Sequence, residues 1–95
     1  MSLSKFFILC VLLDRPLHGY DIAKEVQRRK EACCAPREGT IYPVLKQFAE
    51  GGYVTYKSKI VTGRERRTYA ITNKGRDAFF ICLGEWLKMT KTLED

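Results

Sequence analysis

Residues 37–72 read REGTIYPVLKQFAEGGYVTYKSKIVTGRERRTYAIT, and the hydrophobic period changes within them. Ile41, Val44, Leu45 and Phe48 recur at i, i+3, i+4 and i+7, the stripe of an amphipathic helix that opens near Arg37-Glu38. Pro43 falls in the first turns, where proline is tolerated, and Gly51-Gly52 supplies a C-cap. Thr40, Tyr42, Pro43, Lys46 and Gln47 lie off the buried stripe. From Val54 the period becomes two. Val54, Tyr56 and Ser58 alternate with Thr55, Lys57 and Lys59, Thr62-Gly63 turns the chain, and Arg67, Tyr69 and Ile71 alternate with Arg66, Thr68 and Ala70. This is a β-hairpin with a basic tip: Lys57, Lys59, Arg64, Arg66 and Arg67 against Glu65.

Upstream, Phe6 to Leu13 is apolar without interruption. Eight such residues are too few to span a bilayer, and no small-residue cleavage site follows them. The stretch reads as a central helix buried on every side, capped by Ser2 or Ser4 and stopping before Pro16. Leu17-His18-Gly19 reads as a turn. A second helix runs from Tyr20-Asp21 to about Lys30 with Ile22, Ala23 and Val26 inward, and residues 31–36 form a loop. Downstream, Thr72 caps a last helix with two apolar seams. Phe79, Cys82, Trp86, Met89 and Leu93 follow heptad spacing and are the candidate dimer interface, and Phe80, Leu83 and Leu87 form the second seam. Either one seam covers the domain's own core and the other meets a partner, or both belong to one wide core stripe with an exposed end.

Composition sets limits. The 95 residues make one compact domain, which excludes large enzyme barrels and two-domain dinucleotide folds. A chain this short buries only roughly 60–65% of its unfolded surface, so pairing with a second copy helps it. The net charge is +6, from 17 Lys and Arg against 11 Asp and Glu. Residues 37–76 hold nine basic and three acidic side chains, a surplus equal to that of the whole chain. Such a local surplus is the footprint of a polyanion or of a solvated basic face.

Cys10 and Cys82 sit in apolar stretches and read as small core residues, while Cys33 and Cys34 are adjacent. A vicinal bridge is strained, and no Cys-x-x-Cys occurs beside the lone His18, so no metal site is expected. Reduced thiols point to the cytoplasm. The Cys33-Cys34 pair reads as two loop thiols or as a thiol or metal sensor. There is no nucleophile elbow, phosphate loop or evident acid pair, so no catalytic residue, cofactor or enzymatic activity is expected.

Helix, helix, helix, basic hairpin is the order of a winged helix-turn-helix. The fold expected is mainly α with a β-hairpin: residues 1–72 a DNA-binding domain, residues 73–95 a C-terminal dimerisation helix. The major groove admits one helix and is read by side chains projecting from it. Thr40, Tyr42, Pro43, Lys46 and Gln47 would face the groove. Gln47 suits adenine, Lys46 suits guanine or a phosphate, Thr40 with the free N–H groups of the first turn suits a phosphate oxygen, and Arg37 is a further DNA-contact candidate. Arg64 is the groove candidate on the hairpin, with Arg66 and Arg67 on phosphates. A protein-binding winged helix would instead predict an apolar third-helix surface.

Gly19-Tyr20-Asp21-Ile22, Glu38-Gly39-Thr40-Ile41-Tyr42-Pro43-Val44-Leu45, Gly52-Tyr53-Val54 and Arg66 to Gly75 occur in order. Together they resemble the PadR-like transcriptional regulators over roughly residues 3–95, in that family's short-tailed branch. The resemblance implies a bacterial or archaeal repressor, dimeric through its last helix, that binds a palindromic operator in double-stranded DNA and is released by a small-molecule effector. It places Thr40, Tyr42 and Lys46 on the recognition helix and Tyr20 near the DNA backbone. It also implies that Trp86 stacks on a flat aromatic ligand at the dimer centre; the other reading of Trp86 is packing within the dimer seam. The tip Ile60-Val61-Thr62-Gly63 is more apolar than the family's wings, and the pattern gives Cys33-Cys34 no role.

Overall fold

The apolar run after Lys5 forms the first helix, α1 (Leu3–Leu12), and it is central: Phe6, Ile8, Leu9, Val11 and Leu12 are all buried. The computed structural model describes residues 3–30 and 38–94. Cys33, Cys34, Pro36 and Arg37, to which the sequence attaches loop, sensor and DNA-contact expectations, lie outside the described residues.

After α1 the chain forms β1 (Leu17–His18), α2 (Gly19–Lys30), α3 (Glu38–Glu50), β2 (Val54–Val61), β3 (Arg64–Ile71) and α4 (Asn73–Glu94). The fold is mainly α with a β-hairpin, as expected. Ile22, Ala23 and Val26 of α2 meet Ile41, Leu45 and Phe48 of α3 against α1, and Val54, Tyr69 and Phe79 close the core. The stripe at i, i+3, i+4 and i+7 thus delivers the inner face of α3, with Val44 half-buried at its margin. The helix continues through exposed Pro43, beyond the first-turn position where a missing N–H costs nothing.

One local expectation is corrected. Leu17 and His18 do not turn; they pair antiparallel with Tyr69 and Thr68, giving a sheet of order β1-β3-β2. The open edge of β3 offers N–H and C=O groups that need partners, and the extended chain after Pro16 supplies them.

The α3 exit is a Schellman motif. Gly52, with φ of 80°, holds the left-handed position, and the Tyr53 N–H donates to the Phe48 carbonyl at 2.9 Å. The Phe48 and Tyr53 rings meet edge-on at 5.7 Å, the apolar contact that accompanies this motif. The entry to α4 is fastened to the same place. Thr72 Oγ1 donates toward the Gly52 and Tyr53 carbonyls at 2.6 and 3.0 Å and accepts the Gly75 N–H at 3.1 Å. It therefore caps α4, as the sequence indicates, while also tying it to the end of α3. Lys74 adds a bond from Nζ to the Gly51 carbonyl at 2.8 Å. The hairpin is fixed at its far end by Thr62 and Gly63, both at positive φ (53° and 77°), as a two-residue type I′ turn requires.

Candidate nucleic-acid interface

Two surfaces converge on one side of the molecule: the outer ridge of α3 and the hairpin. Tyr42, Pro43, Lys46 and Gln47 are all exposed, because the stripe that buries Ile41, Leu45 and Phe48 turns the opposite side of the helix outward. The backbone of Thr40 lies in the first turns of α3. Tyr20 is exposed at the start of α2, with Lys24 Nζ 5.9 Å from its ring centre. Between the ridge and the hairpin lies an open cleft of about 1000 Å³, lined by Tyr20, Tyr42, Lys46, Tyr56, Glu65 and Arg67 and bordered also by His18, Arg64 and Arg66.

The strand register divides the hairpin cations. Tyr56 pairs with Tyr69, Ser58 with Arg67, Lys59 with Arg66 and Val61 with Arg64. Side chains alternate across a strand, so Lys57, Lys59, Arg64 and Arg66 share the face away from buried Tyr69, the outer face, from which Arg64 and Arg66 still border the cleft, and Arg67 shares the face of Tyr69. On the outer face Lys59 stands directly opposite Arg66. Like charges in that position destabilise a sheet, and the arrangement is understandable where a polyanion neutralises both. His18 belongs to the same face: its Nδ1 lies 3.0 Å from Thr68 Oγ1.

Arg67 is placed differently from Arg64 and Arg66. Its Nε donates to Glu65 Oε1 at 3.1 Å, and its guanidinium lies 4.5 Å from the Tyr56 ring centre. The Glu65 carboxylate, the Tyr69 side chain and the field of Tyr56 raise its pKa above the ordinary arginine value. The sequence assigns both Arg66 and Arg67 to phosphates, although it already sets them at alternating positions of the strand. Counting outward from Thr62-Gly63 separates the two, since odd and even positions of β3 face opposite ways. The same count singles out Lys57 and Lys59, which the sequence reading places in the basic tip without a site role.

On α4, Phe79 is 4% exposed and stacks on Phe6 of α1, with ring centres 4.7 Å apart. It covers the chain's own core, although heptad spacing sets it in a partner seam. Cys82 is half-buried beside it. Trp86 also stacks on Phe6, at 4.8 Å, but is 41% exposed. Met89 is exposed, as are Phe80, Ile81 and Leu87, and the side chain of Leu93 lies outside the described part. Ala78, Ile81, Cys82, Glu85 and Trp86 border a shallow hollow of about 420 Å³.

Among the described residues no cluster of three His, Cys, Asp or Glu could hold a metal ion, and no helix is long and apolar enough to cross a membrane.

Comparison with known proteins bears on this arrangement. The model of the transcriptional regulator PadR-like family matches residues 8–80. The transcriptional regulator Rv3488 of Mycobacterium tuberculosis is 31% identical over 74 residues, covering 78% of this chain and 66% of that protein. A crystal structure of a PadR family transcription regulator from Clostridium difficile superposes with a TM-score of 0.82 at 27% identity, over 98% of this chain and 96% of that one. Bacillus subtilis PadR, crystallised in complex with operator DNA, superposes with a TM-score of 0.79 at 28% identity over 87% of this chain. The present chain covers 48% of that protein, about half its length.

Proposed function

The chain belongs to the PadR-like family of transcriptional regulators, and from that premise we propose that it is a dimeric, operator-binding repressor of the cytoplasm. Residues 1–72 read DNA and residues 73–95 hold two copies together. The observation that carries this reading is the conjunction of the exposed ridge Tyr42, Pro43, Lys46 and Gln47 with an outer hairpin face bearing Lys57, Lys59, Arg64 and Arg66. The ridge suits base edges in a major groove and the hairpin suits the adjoining backbone, and by their place in the sequence Thr40 and Arg37 suit phosphates. The operator-bound Bacillus subtilis relative supports the same use of the fold.

Two copies are favoured by the apolar surface of α4, where Phe80, Ile81, Leu87 and Met89 are exposed together on a small domain. A symmetric pair would give two α3 ridges and hence a palindromic operator. Release by a flat aromatic effector is supported by the half-exposed indole of Trp86 at the edge of the α4 hollow.

The test is a gel-shift titration with DNA from upstream of the protein's own gene, at two salt concentrations and with random DNA as competitor, alongside light scattering of the free protein. The expected outcome is a dimer that retains its operator shift in the presence of competitor and loses affinity steeply as salt rises. A monomer that competitor displaces completely contradicts the proposal.

A further inference from the structure

Ile60 is 76% exposed, more than any other large apolar side chain among the described residues, and it stands beside the turn of the basic hairpin. Val61 follows it and is also exposed. The register explains why Ile60 is bare. It pairs across the ladder with Glu65, whose carboxylate accepts hydrogen bonds from the Ser58 hydroxyl and from Arg67 Nε. Ser58 and Arg67 form the next row on that face, nearer the core. Glu65 therefore leans away from the tip and leaves Ile60 uncovered. The core is out of reach as well. Tyr69 is the buried residue of β3, and its row with Tyr56 lies four residues from the row of Ile60, which sets the tip roughly 14 Å beyond it at about 3.4 Å per residue. Cations flank the apolar tip: among the described residues Lys59, Arg64 and Arg66 form no ion pair. Arg64, Glu65 and Arg66 also border the cleft beside α3, so the tip is continuous with the DNA-binding face proposed above.

We infer that Ile60 is a wedge: with α3 in a major groove, the hairpin tip reaches the adjoining minor groove, and Ile60 enters between two base pairs and kinks the duplex. The inference rests on the DNA-binding reading above and adds a deformation of the DNA to it. A minor groove is about 6 Å wide, and the two strands of a hairpin already lie about 4.8 Å apart before side chains are counted. The tip does not fit an undistorted groove and is seated only by opening it. Apolar side chains open the groove by parting a base step, and the duplex then bends toward its major groove, the side that holds α3 here. Lys59, Arg64 and Arg66 attract the phosphates along the rims. The bases in turn give Ile60 the apolar cover that its own chain does not supply.

Strand propensity alone would ask only for a branched side chain at this position, and substitution separates the two accounts. Ile60→Thr keeps the branch at Cβ and removes the apolar wedge. Ile60→Leu keeps the wedge. The probe is a duplex selected from a random-sequence pool by the wild-type protein and labelled at both ends, so that energy transfer reports its end-to-end distance. Wild type shortens that distance, by a bend in the range of roughly 20–90°, and Ile60→Leu does the same. Ile60→Thr relaxes the bend and weakens binding to the selected duplex roughly tenfold, with the salt slope unchanged because no cation is lost. The duplexes that wild type selects carry a flexible step, TA or CA/TG, under the tip, and those that Ile60→Thr selects do not. Thermal melts establish that each variant is folded. A straight duplex in the wild-type complex, or a bend that Ile60→Thr preserves, overturns the inference and leaves the DNA-binding reading standing. Dissociation of the dimer by Ile60→Thr, read by light scattering, assigns the tip to a second copy and overturns it too. A wild-type protein that selects no sequence overturns both.

Discussion

The ring of Phe6 on α1 stacks on that of Trp86 on α4, with centres 4.8 Å apart and planes 26° from parallel, and also stacks on Phe79 at 4.7 Å. Phe79 and Trp86 are seven residues apart, two helical turns, so one α1 side chain closes the near end of the heptad seam from within the chain. Past Trp86 the seam is open, with Met89 exposed. Trp86 stands at the boundary between the domain's own core and the proposed dimer contact. Trp86→Ala should therefore lower stability, by less than the roughly 3–5 kcal/mol of a fully buried aromatic, and should also shift the dimer to higher concentrations. Melting curves and concentration-dependent light scattering read the two effects. A changed melt with an unchanged dimer constant confines Trp86 to the core. Because Trp86 is the only tryptophan, its emission also reports directly on any flat aromatic ligand stacking there.

Lys59 and Arg66 oppose each other across the hairpin. Lys59→Ala should stabilise the free protein slightly, at the low end of roughly 0.2–1 kcal/mol for an exposed cross-strand pair. The same change should weaken DNA binding and reduce the log–log salt slope by about 0.9. Opposite signs for stability and binding are the expected signature, readable from a melt and a pair of titrations. A variant that loses stability and keeps its salt slope removes this face from the interface.

Thr62 adopts φ of 53° in the hairpin turn, a region that β-branched residues disfavour. Asparagine enters it more readily and is the usual partner of glycine in a type I′ turn. Thr62→Asn should stabilise the fold by about 1 kcal/mol, which for a domain of this size raises the melting temperature by roughly 4–8 °C. A lower melting temperature would show that the Thr62 side chain does something the backbone alone does not require.

Lys46 and Gln47 stand on the exposed ridge of α3, away from the buried stripe. Lys46→Ala and Gln47→Ala should each leave the melt within about 0.5 kcal/mol of wild type. Each should weaken operator binding by about 1–3 kcal/mol if its side chain hydrogen-bonds a base edge, with specificity relaxed at that base pair. Affinities unchanged in both variants would place the recognition surface elsewhere.

Much of this fold is legible in the sequence. The change of period at Val54, the glycines at 51 and 52 and the threonine at 72 locate α3, its cap, the hairpin and the start of α4, because each signal is local and has one backbone meaning. Leu17 and His18 are not legible as a strand because two residues carry no period; their strand character comes from the edge of β3, about fifty positions away in the chain. Phe79 reads as part of a partner seam because heptad spacing shows that a helix face is apolar without showing what covers it; here Phe6 does. Arg66 and Arg67 already alternate in the sequence; the strand register adds that Arg67 shares the face of buried Tyr69.

The central claim is that the outer hairpin cations and the α3 ridge engage one duplex together. It is tested most directly by the salt dependence of operator binding for wild type and for a protein with Lys57, Lys59, Arg64 and Arg66 all changed to alanine. The account predicts a folded variant whose slope is shallower by about 0.9 for each phosphate that its chain no longer neutralises, with the base preferences owed to α3 still detectable at low salt. An unchanged slope in the folded variant would contradict it.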